Sequence, residues 1–357
     1  MKKYKRILIT QTGGWIGDMI LLTPTLRALR HAYKNSHITM LVRPLVQKLL
    51  LDNPYLDDLM IYDKHGEDRG IPLNKGGKGV VKLLHPRLRR DFQLSQRLRE
   101  LRFDLAVVLH PNSIRSALIP CLARIPERIG TRINGRGIFL TRSLNDRDDI
   151  HEVERYLRVL KLIGISNPNP KLEFWHTMED RRVVERIFAA SGISNADILI
   201  GVNPGTTWET KRWELERFAA VIDALLKKYK VRVVLTGSPA EKPLGDRIQE
   251  LTSAEFVNLI GQTDLRQLGA LIERMSFYIT CDSGPMHIAA AVNTPTIALF
   301  GPTSPIRHAP YGTGHVVIQK QVECSPCYER TCSRNHECMK AIEVKEVVQH
   351  VENLLPF

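Results

Sequence analysis

Long apolar runs are missing from this 357-residue chain. Its basic opening carries only Ile7–Ile9 as an apolar stretch before polar residues and glycines return. It therefore reads as neither a signal peptide nor a membrane span. No other stretch comes near the roughly 20 apolar residues that a spanning helix needs, and a cytoplasmic protein is expected. Aromatic residues are scarce, at 6%, and are not interleaved with the basic ones, which argues against a stacking platform for single-stranded nucleic acid. Patterns for a helix-turn-helix, a zinc finger or an RNA-recognition module are absent too. Acidic residues are the minority, 38 against 51 lysines and arginines, for a formal net charge of +13. Such a surplus suits nucleic acid, an anionic membrane surface or a phosphorylated substrate, or is simply a solvated basic surface. With the nucleic-acid signals missing, a membrane-surface or anionic-glycolipid partner ranks above nucleic acid. Much of the excess lies in Lys75–Arg102, as Lys78, Lys82, Arg87, Arg89, Arg90, Arg97, Arg99 and Arg102.

What is present is an alternation of short apolar strands and helical patterns, twice over. Arg6–Thr10, His37–Arg43 and Asp104–His110 read as buried strands of a first series, with a long helical pattern from Asp18 to Tyr33 and a basic helix around Leu94–Leu101. Between about Asp63 and Arg90 the pattern breaks into Gly- and Lys-rich text, expected as an excursion from the fold. A second series follows: Asp197–Val202, Val231–Thr236, Phe256–Leu259, Phe277–Cys281 and Thr296–Phe300 as strands, Trp213–Lys228 as a helix. A closing amphipathic helix is expected over Glu343–Leu355. The Pro- and Asn-rich ISNPNPK at 165–171 is the linker candidate, so 1–170 and 171–357 are expected as two domains. The fold class is α/β of the GT-B type: two Rossmann-like, doubly wound parallel sheets facing a central cleft.

Ligands of such sheets sit beyond the carboxyl ends of the strands, so the turns there are the candidate sites. After the first strand comes Gln11-Thr12-Gly13-Gly14-Trp15-Ile16-Gly17-Asp18. Its glycines admit close backbone approach, but the spacing is not the dinucleotide fingerprint and no Walker lysine follows. By position alone Asp18 is mostly an acidic residue that stabilises a helix start, and a candidate base besides. In the second series, Gly205-Thr206-Thr207-Trp208-Glu209-Thr210-Lys211-Arg212-Trp213 places two hydroxyls, a lysine and an arginine before a helix. Cations there oppose the helix dipole, a conflict that a bound phosphate would remove. A third turn, Cys281-Asp282-Ser283-Gly284-Pro285-Met286-His287, offers small polar groups and amides to a diphosphate, with Phe300-Gly301-Pro302-Thr303-Ser304-Pro305 at the same rim.

Together GDMILLTPTLRALRHAY, GTTWETKRW and CDSGPMHIAAAVNTPTIALFGPTSP resemble glycosyltransferase family 9, the lipopolysaccharide heptosyltransferases, of the heptosyltransferase II type. The likeness runs across nearly the whole chain and includes His151-Glu152-Val153-Glu154-Arg155-Tyr156. It implies a GT-B enzyme moving L-glycero-D-manno-heptose from ADP-heptose to a lipid-A–core acceptor at the inner face of the inner membrane. Asp18 matches the family's general base. Lys211 with Thr206 and Thr207 matches donor-phosphate contacts, and Glu241 a ribose-binding glutamate. Asp282, Ser283, Gly284 and His287 match donor-site positions. Gly17, beside Asp18, and Arg115 and Arg128, by approximate position, are acceptor-side candidates. Trp15 stands where the family often has a small residue, so no contact is carried over there. Inverting displacement needs a carboxylate to take the acceptor proton and fixed donors for the departing diphosphate. With Lys211, His287 and helix termini on hand it calls for no divalent cation, and Asp146-Arg147-Asp148 reads as a polar loop rather than a metal motif.

Cys324-x2-Cys327-x4-Cys332-x5-Cys338 remains outside that chemistry. In a cytosolic protein such spacing fits a structural zinc or iron–sulfur site, a reduced thiol cluster, or a disulfide formed on purification. Two other readings stand beside the transferase. Another GT-B nucleotide-sugar transferase or epimerase would use the same turns, and an epimerase would leave the basic stretch without purpose. A basic metal-containing nucleic-acid-binding protein would use that stretch and the cysteines, leaving the three turns idle.

Overall fold

A computed structural model describes residues 2–13, 15–63, 86–110 and 112–354. Packing divides the chain into two units, Met1–Asp148 with Val153–Pro170, and Asp149–Glu152 with Lys171–Phe357. The first holds six strands: β1 Arg6–Thr10, β2 His37–Val42, β3 Asp58–Ile61, β4 Leu105–Val108, β5 Glu127–Arg132 and β6 Arg142–Asn145. The second holds six more: β7 Leu199–Asn203, β8 Arg232–Leu235, β9 Val257–Asn258, β10 Phe277–Cys281, β11 Thr296–Phe300 and β12 Val316–Gln319. Every pairing is parallel, in the orders β3-β2-β1-β4-β5-β6 and β12-β11-β10-β7-β8-β9. Counted from its own first strand, each unit has the order 3-2-1-4-5-6 of a dinucleotide-type doubly wound sheet. The two sheets thus meet the expected α/β class. Crossovers leave in opposite directions on either side of β1 and of β7. The turns after β1 and β4, and those after β7 and β10, therefore flank the two points where ligands of this fold bind.

The central strands are readable because both of their faces are covered, which calls for near-continuous apolar sequence. RILIT, LAVV, LIGVN and FYITC are almost wholly buried. Strands β3, β5, β6 and β12 have no counterpart in the sequence reading. The edge strands β3 and β6 are half exposed and partly polar, β5 carries Glu127, Arg128 and Arg132, and β12 is only four residues long.

The single helix expected over 18–33 is two helices, Ile16–Leu21 and Thr23–Ala32, meeting at Leu22. Pro24, in the first turn of the second, has no N–H to continue the ladder of the first and suits a helix start. The basic helix near 94–101 is longer, Pro86–Glu100. Lys78 and Lys82, with most of the expected 63–90 excursion, lie outside the described residues. No helix among the described residues is long and apolar enough to cross a membrane.

In the second unit the helix expected from Trp213 begins at Leu215 instead, because Trp213 itself turns into the core. It is fully buried, edge-on to Phe218 at 5.1 Å, and its indole N–H donates to the Ile342 carbonyl at 3.2 Å. Helix Leu215–Lys228 packs under helix Val344–Leu354 through a common core that includes Phe218, Ile222, Val347 and Val351. Trp213 thus fastens the 205–212 turn to the domain's interior. Trp213→Ala should lower unfolding stability by about 3–5 kcal/mol, measured by urea denaturation. A loss under about 1 kcal/mol would contradict this anchoring role.

Candidate active site

In the first unit, β1 ends at Thr10 and the chain turns through Gln11–Trp15 into helix Ile16–Leu21, which places Gly17 and Asp18 in its first turn. Tyr156, from helix Glu152–Leu160, donates its hydroxyl to Asp18 Oδ1 at 3.3 Å. Gln11 Nε2 donates to the same tyrosine oxygen at 3.4 Å, and Gln11 Oε1 accepts the Gly13 N–H at 3.0 Å. The two bonds at Tyr156 are long for their kind. His110 follows β4, and its Nδ1 accepts the backbone N–H groups of Asn112 and Ser113, both at 3.0 Å. In the neutral ring the proton therefore sits on Nε2. A β-carbon at Gly13 would stand 3.1 Å from His110 Nε2 and 3.4 Å from Asp18 Oδ2. The imidazole and the carboxylate border one small space that glycine keeps open.

Arg115 and Arg128 are occupied elsewhere. Arg115 Nε pairs with Asp91 at 3.1 Å, and the buried Asp91 also accepts the Tyr62 hydroxyl at 2.8 Å. Arg128 donates to the carbonyls of Phe139 and Ile125, tying down the turn before β6. Both side chains have structural employment, which position in the sequence does not reveal.

The second unit assembles its turns more tightly. Lys211, in the single 3-10 turn Glu209–Lys211 after β7, meets Asp282, after β10, with Nζ–Oδ2 at 2.6 Å. Thr303, after β11, donates to the same oxygen at 2.6 Å. Three residues far apart in sequence thus converge because β7, β10 and β11 are neighbours in the sheet. Thr206 turns its hydroxyl back onto the Trp208 carbonyl at 2.7 Å, while Thr207 is exposed. Glu241 accepts the Ser238 N–H at 2.6 Å and crowds Gly205, where a β-carbon would lie 1.8 Å from Oε1. The glycine is needed for that approach. Ser283 Oγ lies 3.0 Å from Thr280 Oγ1, and Gly284 opens helix Gly284–Ala291, on which His287 is buried.

Burial works to raise the pKa of Asp282, but the Lys211 ammonium, His308 and the hydrogen bonds from Lys211 and Thr303 outweigh it, and the carboxyl titrates below its ordinary value. Burial pushes His287 down to about 3 and His308 to about 4, against the pull of Asp282 on both. At neutral pH His287 is therefore uncharged. His308 lies outside the recognisable motif and was not foreseen; its only sequence signal is its place one turn beyond Pro305.

The four clustered cysteines are free thiols, as are Cys121 and Cys281. Cys324, Cys327 and Cys332 lie close enough to Cys338 to reinforce the upward shift that burial gives its thiol. Cys332 Sγ accepts the N–H of His336 at 3.2 Å and of Arg334 at 3.4 Å. Among the described residues, however, no three His, Cys, Asp or Glu side chains are placed to hold a metal ion. Asp146 is an ion-pair partner, held by Arg155 at 2.6 Å.

Two doubly wound domains with polar clusters at their switch points are the GT-B architecture. The model for glycosyltransferase family 9 (heptosyltransferase) matches residues 92–337, and the chain belongs to that family. It is 31% identical over 317 residues to lipooligosaccharide heptosyltransferase 2 of Haemophilus influenzae, covering 85% of this chain and 86% of the relative. It is 29% identical over 346 residues to lipopolysaccharide heptosyltransferase 3 of Escherichia coli K12, covering 95% of each. The solved structure of the E. coli ADP-heptose lps heptosyltransferase II superposes with a TM-score of 0.75 at 26% identity, over 98% of both chains.

The depressed histidines set the acid side of stability. Below their ordinary value of 6.5 the unfolded chain takes up protons that native His287 and His308 refuse, so stability falls as pH falls from 6.5 towards about 4. Each histidine contributes a slope of about 1.4 kcal/mol per pH unit across that window. Urea unfolding at several pH values should show the decline, and His308→Gln should flatten it. An unchanged slope in that variant would contradict the assignment.

Proposed function

We propose that this protein transfers L-glycero-D-manno-heptose from ADP-heptose to the inner core of lipopolysaccharide, with inversion and with Asp18 as general base. The observation that carries the reading is the convergence of Lys211, Asp282 and Thr303 at the second domain's switch point. A partly buried ammonium there suits a diphosphate. Residues 171–357 then form the donor domain and 1–170 the acceptor domain, working at the inner face of the inner membrane on a lipid-A–core acceptor. The names of the relatives support the sugar, the donor and the acceptor class. A basic chain suits an acceptor that carries anionic groups.

In the reaction so proposed, the acceptor hydroxyl attacks the anomeric carbon from the face opposite the diphosphate. Its proton passes to Asp18, the new carbon–oxygen bond forms, and the bond to the diphosphate breaks with its electron pair leaving on ADP. Lys211, the amides of Ser283 and Gly284, and the hydroxyls of Thr206 and Thr207 stabilise the charge that gathers on the leaving group. Neutral His287 hydrogen-bonds in the donor site. Glu241, held against Gly205 by Ser238, takes the ribose hydroxyls. On the acceptor side Gly17 leaves room beside Asp18. Arg115 and Arg128 reach an acceptor only by giving up the bonds they now make.

Asp18→Asn should fold and bind ADP with wild-type affinity, yet lose transfer by about two to four decades. The comparison needs product formation from ADP-heptose and truncated core acceptors beside ADP calorimetry; near-normal turnover would sink the base assignment. Tyr156 positions that base. Tyr156→Phe should lower kcat several-fold, leave the donor KM in place, and move the acid limb of the pH–rate profile upward, since a hydrogen bond to the charged carboxylate is lost. An unmoved acid limb would rule out this positioning.

A further inference from the structure

The Cys-rich segment packs directly against the turns of the second domain's site. Ser325 Oγ donates to the Gly301 carbonyl at 2.6 Å, and the Ser304 N–H donates to the Tyr328 hydroxyl at 3.3 Å. Thr210 Oγ1 donates to the Glu329 carbonyl at 2.8 Å. Arg330 completes the set, its guanidinium 4.9 Å from the centroid of the Trp208 ring. Two of these contacts fall on the turn that carries Lys211 and two on the turn that carries Thr303.

Trp208 is approached by a second cation as well. Lys211 Nζ lies 4.5 Å from the same centroid, so both charges sit around one indole, within about a Debye length of each other at physiological salt. Lys211 is compensated by Asp282. Arg330 forms no ion pair among the described residues. A ring face attracts each cation, but it does nothing to relieve their mutual repulsion. An anion reaching both would. A guanidinium is moreover the group best shaped to grip phosphate oxygens in pairs, where an ammonium acts as a point charge.

We propose that the Cys-rich segment is one wall of the phosphate site and that Arg330, stacked on Trp208, is a further diphosphate-binding residue supplied by that wall. The proposal rests on the reading of this site as the donor site. It adds a charge contact that none of the three strand-end turns contains. It also gives the segment a task other than metal binding: the contacts of Ser325, Tyr328 and Glu329 hold Arg330 over the indole.

The test is calorimetric titration of ADP and of adenosine into wild type, Arg330→Gln, Arg330→Lys and Lys211→Ala, with thermal melts alongside. Arg330→Gln should bind ADP about ten-fold more weakly, bind adenosine as wild type does, and melt where wild type melts. Arg330→Lys should recover part of the loss. If Lys211→Ala loses ADP affinity while Arg330→Gln keeps it, the Arg330 assignment is overturned and the donor reading stands. An equal loss of ADP and adenosine affinity, or a fall in melting temperature with ADP affinity intact, makes Arg330 structural and also overturns it. If wild type does not bind ADP at all, the donor reading fails and the proposal with it.

Discussion

The pair Lys211–Asp282 is the interaction on which the second domain's chemistry hangs. Two opposite charges at 2.6 Å, with side chains only 17% and 7% exposed, are costly to desolvate and tolerable only when their remaining hydrogen bonds are met. Thr303 meets one of them. The arrangement is possible because a parallel sheet brings the ends of β7, β10 and β11 side by side, although the three residues are separated by 71 and 21 positions. Burial keeps His287 and His308 neutral beside the pair. Removing either partner would leave a buried charge alone, so the site is strongly constrained before any ligand arrives.

The same strand order recurs in the first domain, and with it the same logic of placement. Asp18 follows β1 as Lys211 follows β7, and His110 follows β4 as Asp282 follows β10. Nothing in this equivalence needs sequence similarity between the halves. A doubly wound sheet reverses its winding at one place, and polar groups that are to meet a ligand gather at the strand ends bordering it. The energetic work is done away from that rim, in the apolar layers beneath: Leu8, Leu94, Phe103 and Ile119 in one unit, Trp213, Phe218, Ile222 and Val351 in the other.

How much of this could be read from sequence depended on how local each signal was. Central strands announced themselves because burial on both faces leaves little room for polar residues. The strand-end turns were readable for the same reason, each being a polar, glycine-containing break straight after an apolar run. Edge strands β3 and β6 gave no such signal, since half-exposed backbone tolerates polar sequence. The break at Leu22 was legible in principle from Pro24, but the continuous apolar period across it prevailed in the reading. Partners brought in from a distance were out of reach: Tyr156 arrives at Asp18 from 138 residues away, and Asp91 claims Arg115.

The two aspartates at the strand ends differ in the neighbours that hold them. Asp282 is gripped on a single oxygen by two short bonds, one of them charge-assisted, within a nearly closed site. Such a carboxylate stays ionised and still, which suits a group that sets the position of Lys211. Asp18 sits in a first helical turn and its bond from Tyr156 is long, in a relay whose other link, from Gln11, is longer still. A carboxylate that must accept a proton and give it up again gains from partners that orient it without fixing its charge, because every strong donor to the ionised form lowers its basicity. The long bond from Tyr156 fits the proposed role of Asp18 as base, and the two short bonds fit Asp282 as the group that positions Lys211. The difference arises from neighbours that only the folded sheet supplies.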